Sequence, residues 1–354
     1  MPDRDHEARP GSGGVRAAKL LSAGALLAVA LARGNRQSAE PRDTPKPDAV
    51  SDADGPTEIP PHGWWEVLKR VWDEIGRDNM SIIAAGCGFY ALLALFPAIT
   101  ALVAIYGIVA DPSTIEQQVS GLSAVVPEAA VDLIGTQAHA VAATGATRLT
   151  WGAAIALLLA LYSATSGMKT LFQALNIAYE EEETRSFVRF NLTAFLFTLV
   201  AIVGIAVMIG LIVGMPLLIG LLPFGSLGTW LVRIGSWLLL GVALLYRFGP
   251  SRAPARWRWV TPGSLAAVGL WLLGSLAFSL YVGRFAAYNE TYGTLGGVVI
   301  LLMWLYISAF SILLGAELNA ELELETARDT TTGAPQPIGR REAYVADHTA
   351  QQVR

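Results

Sequence analysis

The chain has 354 residues, 53% of them hydrophobic and 15% charged, with a net charge of −4. A soluble domain carries about 25% charged residues, so the composition favours an integral membrane protein, and the small net charge gives no sign of a nucleic-acid-binding surface. One cysteine and four scattered histidines exclude an internal disulfide and leave nothing that resembles a cysteine- or histidine-built metal centre.

Residues 1–60 are rich in Pro, Asp, Gly and Arg and read as a disordered region. A short apolar segment at 17–32 interrupts them. It fits a signal-peptide core, a helix lying on the membrane, or an extra span. Gly63–Asp78 then places Trp64, Trp65, Leu68, Val71, Trp72 and Ile75 along one helical face beside Lys69, Arg70 and Arg77. Tryptophans and basic residues next to a spanning segment predict an in-plane amphipathic helix.

The first predicted span covers about 80–110 and contains Pro97, a source of kinking. Its start, Ala84-Ala85-Gly86-Cys87-Gly88, allows close helix approach. The loop 111–148 is acidic, and Ile115, Val119, Leu122 and Val126 recur at helical spacing, so amphipathic helices are expected there. A second span, about 150–168, is closed by Lys169 and runs into an amphipathic segment. The third covers 192–222. The fourth, 227–246, carries Arg233, and a basic loop containing Arg247, Arg252, Arg256 and Arg258 follows it. The fifth is 264–283. The sixth, 295–316, is uncharged and long enough for a hydrocarbon core of about 30 Å. On it Gly297, Trp304, Ser308, Ser311, Gly315 and Asn319 share one face, a small and polar stripe suited to helix packing in lipid. Residues 326–354 are polar and expected to form a disordered cytoplasmic tail. The chain therefore reads as all-α and polytopic, with a six-helix membrane domain at 61–325.

With the N-terminus inside, the inner flanks hold Lys69, Arg70, Arg77, Arg185, Arg189, Arg247, Arg252, Arg256, Arg258 and Arg328. The outer loops hold Arg148 and Arg284. The positive-inside rule then places both termini in the cytoplasm.

Candidate contacts for a substrate or lipid follow from polar groups at membrane depth. Arg233 lies in the fourth span, where an unpaired charge at the helix centre costs on the order of 3 kcal/mol; it faces a cavity or snorkels to the interface. Lys169 and Glu317 stand at helix ends, available to pair with each other or with neighbours. Asn191 and Asn319 suit hydrogen bonds between helices. Tyr288, Asn289, Tyr292 and Gly293 form a polar, aromatic loop before the sixth span, readable as a gate or as an aromatic belt with a tight turn. No cofactor motif is present, Walker signatures included. No histidine accompanies the Glu180–Glu183 run, and no catalytic constellation is expected.

Four stretches carry a family resemblance: AAGCGFYALLALFP (84–97), YSATSGMKTLFQALNIAYEEEETR (162–185), LYRFGPSRAPARWRWVTPGS (245–264) and the long segment 278–323. In order and spacing they resemble the YihY/BrkB family of bacterial inner-membrane proteins, over residues 63–325. The resemblance implies six transmembrane helices in a bacterial cytoplasmic membrane and no settled activity; some members were once labelled ribonuclease BN and others a serum-resistance factor. The expected function is non-enzymatic, the transport or flipping of a lipid or small amphiphile, against a structural, envelope-maintaining protein that moves nothing. Transport predicts that Arg233, Ser163, Thr165 and Ser275 converge on a cavity. The expected partners are membrane lipids, with no nucleic acid, and the small-residue ridges would serve a homo-oligomer as well as internal packing.

Overall fold

The computed structural model describes residues 51–109, 135–136, 151–219, 227–284 and 294–353, with side chains placed mainly over 51–95, 161–205, 235–283 and 296–353. Seven long helices occupy these stretches: α1 (Pro61–Arg77), α2 (Met80–Val109), α3 (Trp151–Ala178), α4 (Phe187–Ile219), α5 (Leu227–Phe248), α6 (Trp257–Arg284) and α7 (Thr294–Leu324). A short α8 (Tyr344–Asp347) lies in the C-terminal segment. Each expected span corresponds to one of α2 to α7. Over the described residues, Phe187–Ile205, Trp257–Gly283 and Gly296–Leu324 are long and apolar enough to cross a membrane. Helix α1 with the first part of α2, bent by 66°, would make a fourth such unit. The loop expected to hold amphipathic helices, apart from residues 135–136, and the segment 17–32 lie outside the described residues.

The bundle is organised around α7, which packs closely on α6 and α2, while α2 packs on α3, α3 on α4, and α5 on α6. Helices α4 and α5, although consecutive, scarcely meet along their described lengths. The stripe read from the sequence faces α6. Trp304 donates to Ser275 Oγ at 3.0 Å and Trp271 donates to Ser308 Oγ at 2.9 Å. Lower down, the two backbones touch: a Cβ on Gly263 would meet the Gly315 carbonyl at 2.0 Å, and one on Gly315 the Gly263 carbonyl at 2.4 Å. Pro262 lies inside α6, where proline distorts the hydrogen-bond ladder. The Gly263 N–H beside it donates instead to Asn319 Oδ1 at 2.7 Å. Asn319 thus bonds between helices, as its position in the stripe suggests.

Helix α1 starts on Pro61, suited to the first helical position. It buries Val67 and Val71 against Leu318, Leu322 and Trp259, each fully buried side chain contributing roughly 1.5–3 kcal/mol. Trp65, Leu68 and Trp72 remain exposed. The predicted single apolar face is therefore split between the bundle and the surroundings. Asn79, at φ 51°, makes the corner into α2, a left-handed conformation that Asn tolerates better than most residues.

Two expectations need correction. Residues 51–60 and 326–353 are not disordered but packed together at one end of the bundle. Ser51 and Thr326 form a bridge, with Ser51 N–H on Glu325 O at 3.1 Å and Ala327 N–H on Ser51 O at 3.2 Å. Ala255 and Thr331 form another. The order comes from polar groups. The buried Arg341 guanidinium donates to the carbonyls of Gln336, Arg328, Ala346 and Ala327 at 3.0, 3.2, 2.6 and 2.8 Å. A polar composition signals disorder because it offers little apolar burial; here a buried arginine fixes four backbone acceptors instead.

Arg341→Ala leaves those carbonyls without a donor and is expected to destabilise the C-terminal segment by about 2–4 kcal/mol. Hydrogen exchange over 326–353 should rise selectively. Asp329 accepts from Thr331 N–H and Oγ1 and from Gln336 N–H at 2.9, 2.7 and 2.8 Å. Burial raises its pKa, but these bonds outweigh it and hold the carboxyl below its ordinary value of 3.8. A depressed carboxylate stabilises the fold above its unfolded pKa and loses that contribution as pH falls through the folded one. Exchange of the segment should therefore accelerate below about pH 4, and Asp329→Asn should remove that pH dependence.

Candidate functional site

Helix α7 ends in an acidic run whose members point in different directions. Glu317 and Glu321 are one turn apart on the face toward α1, while Glu323 lies toward the loop after α5. All three are buried, and a buried carboxylate needs a partner. Arg70 of α1 pairs with Glu321 and, at 2.8 Å, with Glu325. Arg252 grips Glu323 with both terminal nitrogens, at 3.1 and 2.7 Å. This pair is almost wholly buried, with side-chain exposures of 1% and 0%. Thr330 adds a bond to Glu323 at 2.5 Å, and the Arg252 guanidinium lies over the Tyr179 ring at 5.1 Å.

The connectors around this pair are locked as well. Asn176 accepts from Ser251 N–H at 2.8 Å and donates to Glu183 at 3.0 Å. Arg185 pairs with Glu183 and reaches the Gly249 carbonyl at 2.9 Å. Glu181 accepts the Tyr344 N–H at 2.7 Å, tying the C-terminal segment to the end of α3.

Glu317 is different. It is 3% exposed, and its Oε2 has no hydrogen-bond partner among the described residues. The charges that bear most on it, after burial itself, are the acidic Glu321, Asp78, Glu74 and Glu180. Three of these form a cluster: single carboxylate oxygens of Glu74, Asp78 and Glu180 all lie within 4.8 Å of one another. Burial, then the charges of Glu180 and Glu74, push the Asp78 carboxyl up to about 6. Burial and Glu74 likewise raise Glu180. Arg77 pairs with Glu74 from an exposed position. Chemically, the cluster is a set of hard oxygen donors of the kind that holds a proton or a metal cation.

The backbone at Glu180 is unusual. Its N–H bonds to Ile177 O at 3.0 Å and the Glu181 N–H to Asn176 O at 2.8 Å, the Schellman pattern that ends a helix on a left-handed residue. Glycine normally fills that place, yet a glutamate does so here at φ 54°.

Of the residues singled out from the sequence, Lys169 and Glu317 do not pair with each other. Lys169 donates to Asn191 Oδ1 at 3.2 Å and lies over the exposed Tyr162 ring at 5.4 Å, on the α3–α4 flank. Arg233 belongs to α5, but its side chain lies outside the described residues, as do Tyr288, Asn289, Tyr292 and Gly293. Sequence reasoning missed Glu74, Asp78 and Glu180 because it looked for histidine and cysteine. The spacing of Glu74 with Asp78 and of Glu317 with Glu321 was the available signal, since residues four apart share a helical face. Nothing in the sequence announces that Glu180 joins them.

Removing one partner of a buried ion pair strands the other. Arg252→Ala and Glu323→Ala are each expected to cost about 3–5 kcal/mol, and the double substitution less than their sum, measured by denaturation in detergent.

The profile of the virulence factor BrkB family matches residues 71–338, extending past the last span into the ordered C-terminal segment. The protein YfkH of Bacillus subtilis (strain 168), described by its name as ribonuclease-like, is 30% identical over 267 residues, covering 72% of this chain and 94% of its own length. A UPF0761 membrane protein of Xanthomonas campestris pv. campestris is 38% identical over 102 residues, 27% of this chain and 24% of that protein. Another, from Tolumonas auensis, is 37% identical over 99 residues, or 27% and 32%. The match thus spans about a quarter to a third of these UPF0761 proteins. No solved structure matches.

Proposed function

This chain belongs to the virulence factor BrkB family of membrane proteins, and from that premise we propose that it moves or flips a lipid or small amphiphile across a bacterial inner membrane. In this reading α2 to α7 are six spans, α1 lies in the membrane plane, and both described ends are cytoplasmic. The observation that carries the reading is the sparse contact between α4 and α5 among the described residues. Consecutive helices joined by a short connection normally pack side by side, so sparse packing along these described parts favours a flank open to lipid. Lys169, steadied by Asn191 and the Tyr162 ring, offers an anionic headgroup a cation on the α3–α4 side; Arg233 on α5 is the second candidate. The exposed Trp65, Leu68 and Trp72 of α1 suit the interfacial zone.

One observation favours the alternative of a scaffold that transports nothing. Thr165 bonds back to the Leu161 carbonyl at 2.7 Å, and Ser275 is taken by Trp304. Two of the four polar groups expected along a pathway are therefore used in packing. The proposal excludes enzymatic activity. RNA cleavage by purified protein that scales with this chain, and not with a contaminating nuclease, would overturn that part.

Reconstituted vesicles carrying a fluorescent phospholipid separate the two readings. Wild-type protein is expected to scramble the lipid several-fold faster than protein-free vesicles, with Lys169→Ala and Arg233→Ala slower. Wild-type rates equal to the protein-free background, from folded and correctly oriented protein, would leave the scaffold reading.

A further inference from the structure

We propose that Arg247, held beside the rings of Phe248 and Trp257, binds the phosphate of an anionic phospholipid where α5 ends and α6 begins. The inference rests on α5 and α6 crossing the membrane and not on transport: a chain that scrambles nothing would still carry the site.

The apolar stretch Gly235–Phe248 closes α5, and the apolar stretch Trp257–Gly283 opens α6. The two helices pack on each other, so Phe248 and Trp257 stand near one boundary between hydrocarbon and water, the level of the headgroups. Both rings are exposed, as tryptophan at that level commonly is. The Arg247 guanidinium carbon lies 4.6 Å from the Trp257 ring centroid and 5.3 Å from that of Phe248. Attraction between the cation and the ring faces fixes the plane of the guanidinium.

That cation lacks a counter-charge. The Nη1 nitrogen donates to the Ala255 carbonyl at 2.7 Å, and Nε is buried with no hydrogen-bond partner among the described residues. An arginine has five N–H donors, and a buried donor without an acceptor is costly. Arg70, Arg185 and Arg252 each have a carboxylate. Among the described residues Arg247 has the one carbonyl and no carboxylate. A phosphate would supply both what is missing in charge and what is missing in acceptors, because a guanidinium meets it with two parallel N–H···O bonds.

The neighbouring surface favours a lipid as the source of that phosphate. Trp237 and Leu240 are exposed on α5, eleven residues before Phe248 and seven before Arg247, spacings that keep them on the same side of the helix. An acyl chain hanging from a headgroup at Arg247 would run along this apolar strip.

The test is native mass spectrometry of the full-length protein in detergent with phosphatidylglycerol or phosphatidylcholine added. One phosphatidylglycerol per chain is expected, held several-fold more strongly than phosphatidylcholine. Arg247→Gln should weaken its retention on the order of tenfold. Trp257→Leu should weaken it several-fold; this ring is exposed, so binding lost there is lost from a chain whose core is untouched. Arg258→Gln removes a neighbouring charge already paired with Asp54 at 3.4 Å and should change nothing. Equal retention of the two lipids by folded wild-type protein overturns the proposal. Equal losses in Arg247→Gln and Arg258→Gln overturn it too, since diffuse surface charge would then account for binding. So does retention unchanged in both Arg247→Gln and Trp257→Leu. Displacement of the lipid by inorganic phosphate would assign a free-anion site and overturn the lipid assignment.

Discussion

A helix that leaves an apolar core carrying Glu317, Glu321, Glu323 and Glu325 cannot be left to end there. Desolvating a carboxylate is expensive unless a positive charge or several hydrogen bonds accompany it. The surrounding chain is arranged to answer that demand. Arg70 fixes α1 across the helix end, Arg252 draws in the loop after α5, and Thr330 brings the C-terminal segment onto the same carboxylate. The Arg70–Glu321 and Arg70–Glu325 bonds join pieces of chain more than 250 residues apart. Partnering the carboxylates at one helix end therefore determines where three other segments lie.

The apolar part of the bundle follows a different rule. In lipid, helices gain little from hiding hydrophobic surface from each other, so close backbone approach and side-chain hydrogen bonds decide the packing. Gly263 against Gly315, Asn319 on the Gly263 N–H, and the two Trp–Ser bonds between α6 and α7 supply both. Helices α4 and α5 have no comparable device among the described residues, in keeping with their sparse contact. Among the described residues a tightly bonded α6–α7 spine thus stands beside an α4–α5 flank with little packing.

How far the sequence could be read depends on the range of the signal. The spans, the stripe on α7 and the interhelical role of Asn319 are local patterns in one helix, visible as periodicity. The ordered C-terminal segment was not, because Arg341 holds it by carbonyls, which no side-chain pattern reports. The carboxylate cluster was half visible. Glu74 with Asp78, and Glu317 with Glu321, keep helical spacing, but their meeting depends on the corner at Asn79 and on the left-handed end of α3. Glu180 sits there against the usual preference for glycine, and preferences of that kind can only mislead a reader of sequence. Lys169 and Glu317 looked equivalent as charges at helix ends; only their surroundings distinguish a solvated lysine, bonded to asparagine, from a stranded glutamate.

The bridge between Ser51 and Thr326 has a bearing on parity. Two residues that share backbone hydrogen bonds lie on the same side of any membrane the chain crosses between them. Each crossing takes the chain to the opposite side, so the number of crossings from 51 to 326 must be even. The three helices that satisfy length and apolarity alone therefore cannot be a complete tally of the spans. Four satisfies the condition if the bent α1–α2 unit counts as one, and so does six. An odd count would have to tear apart the seam that closes the polar end of the bundle.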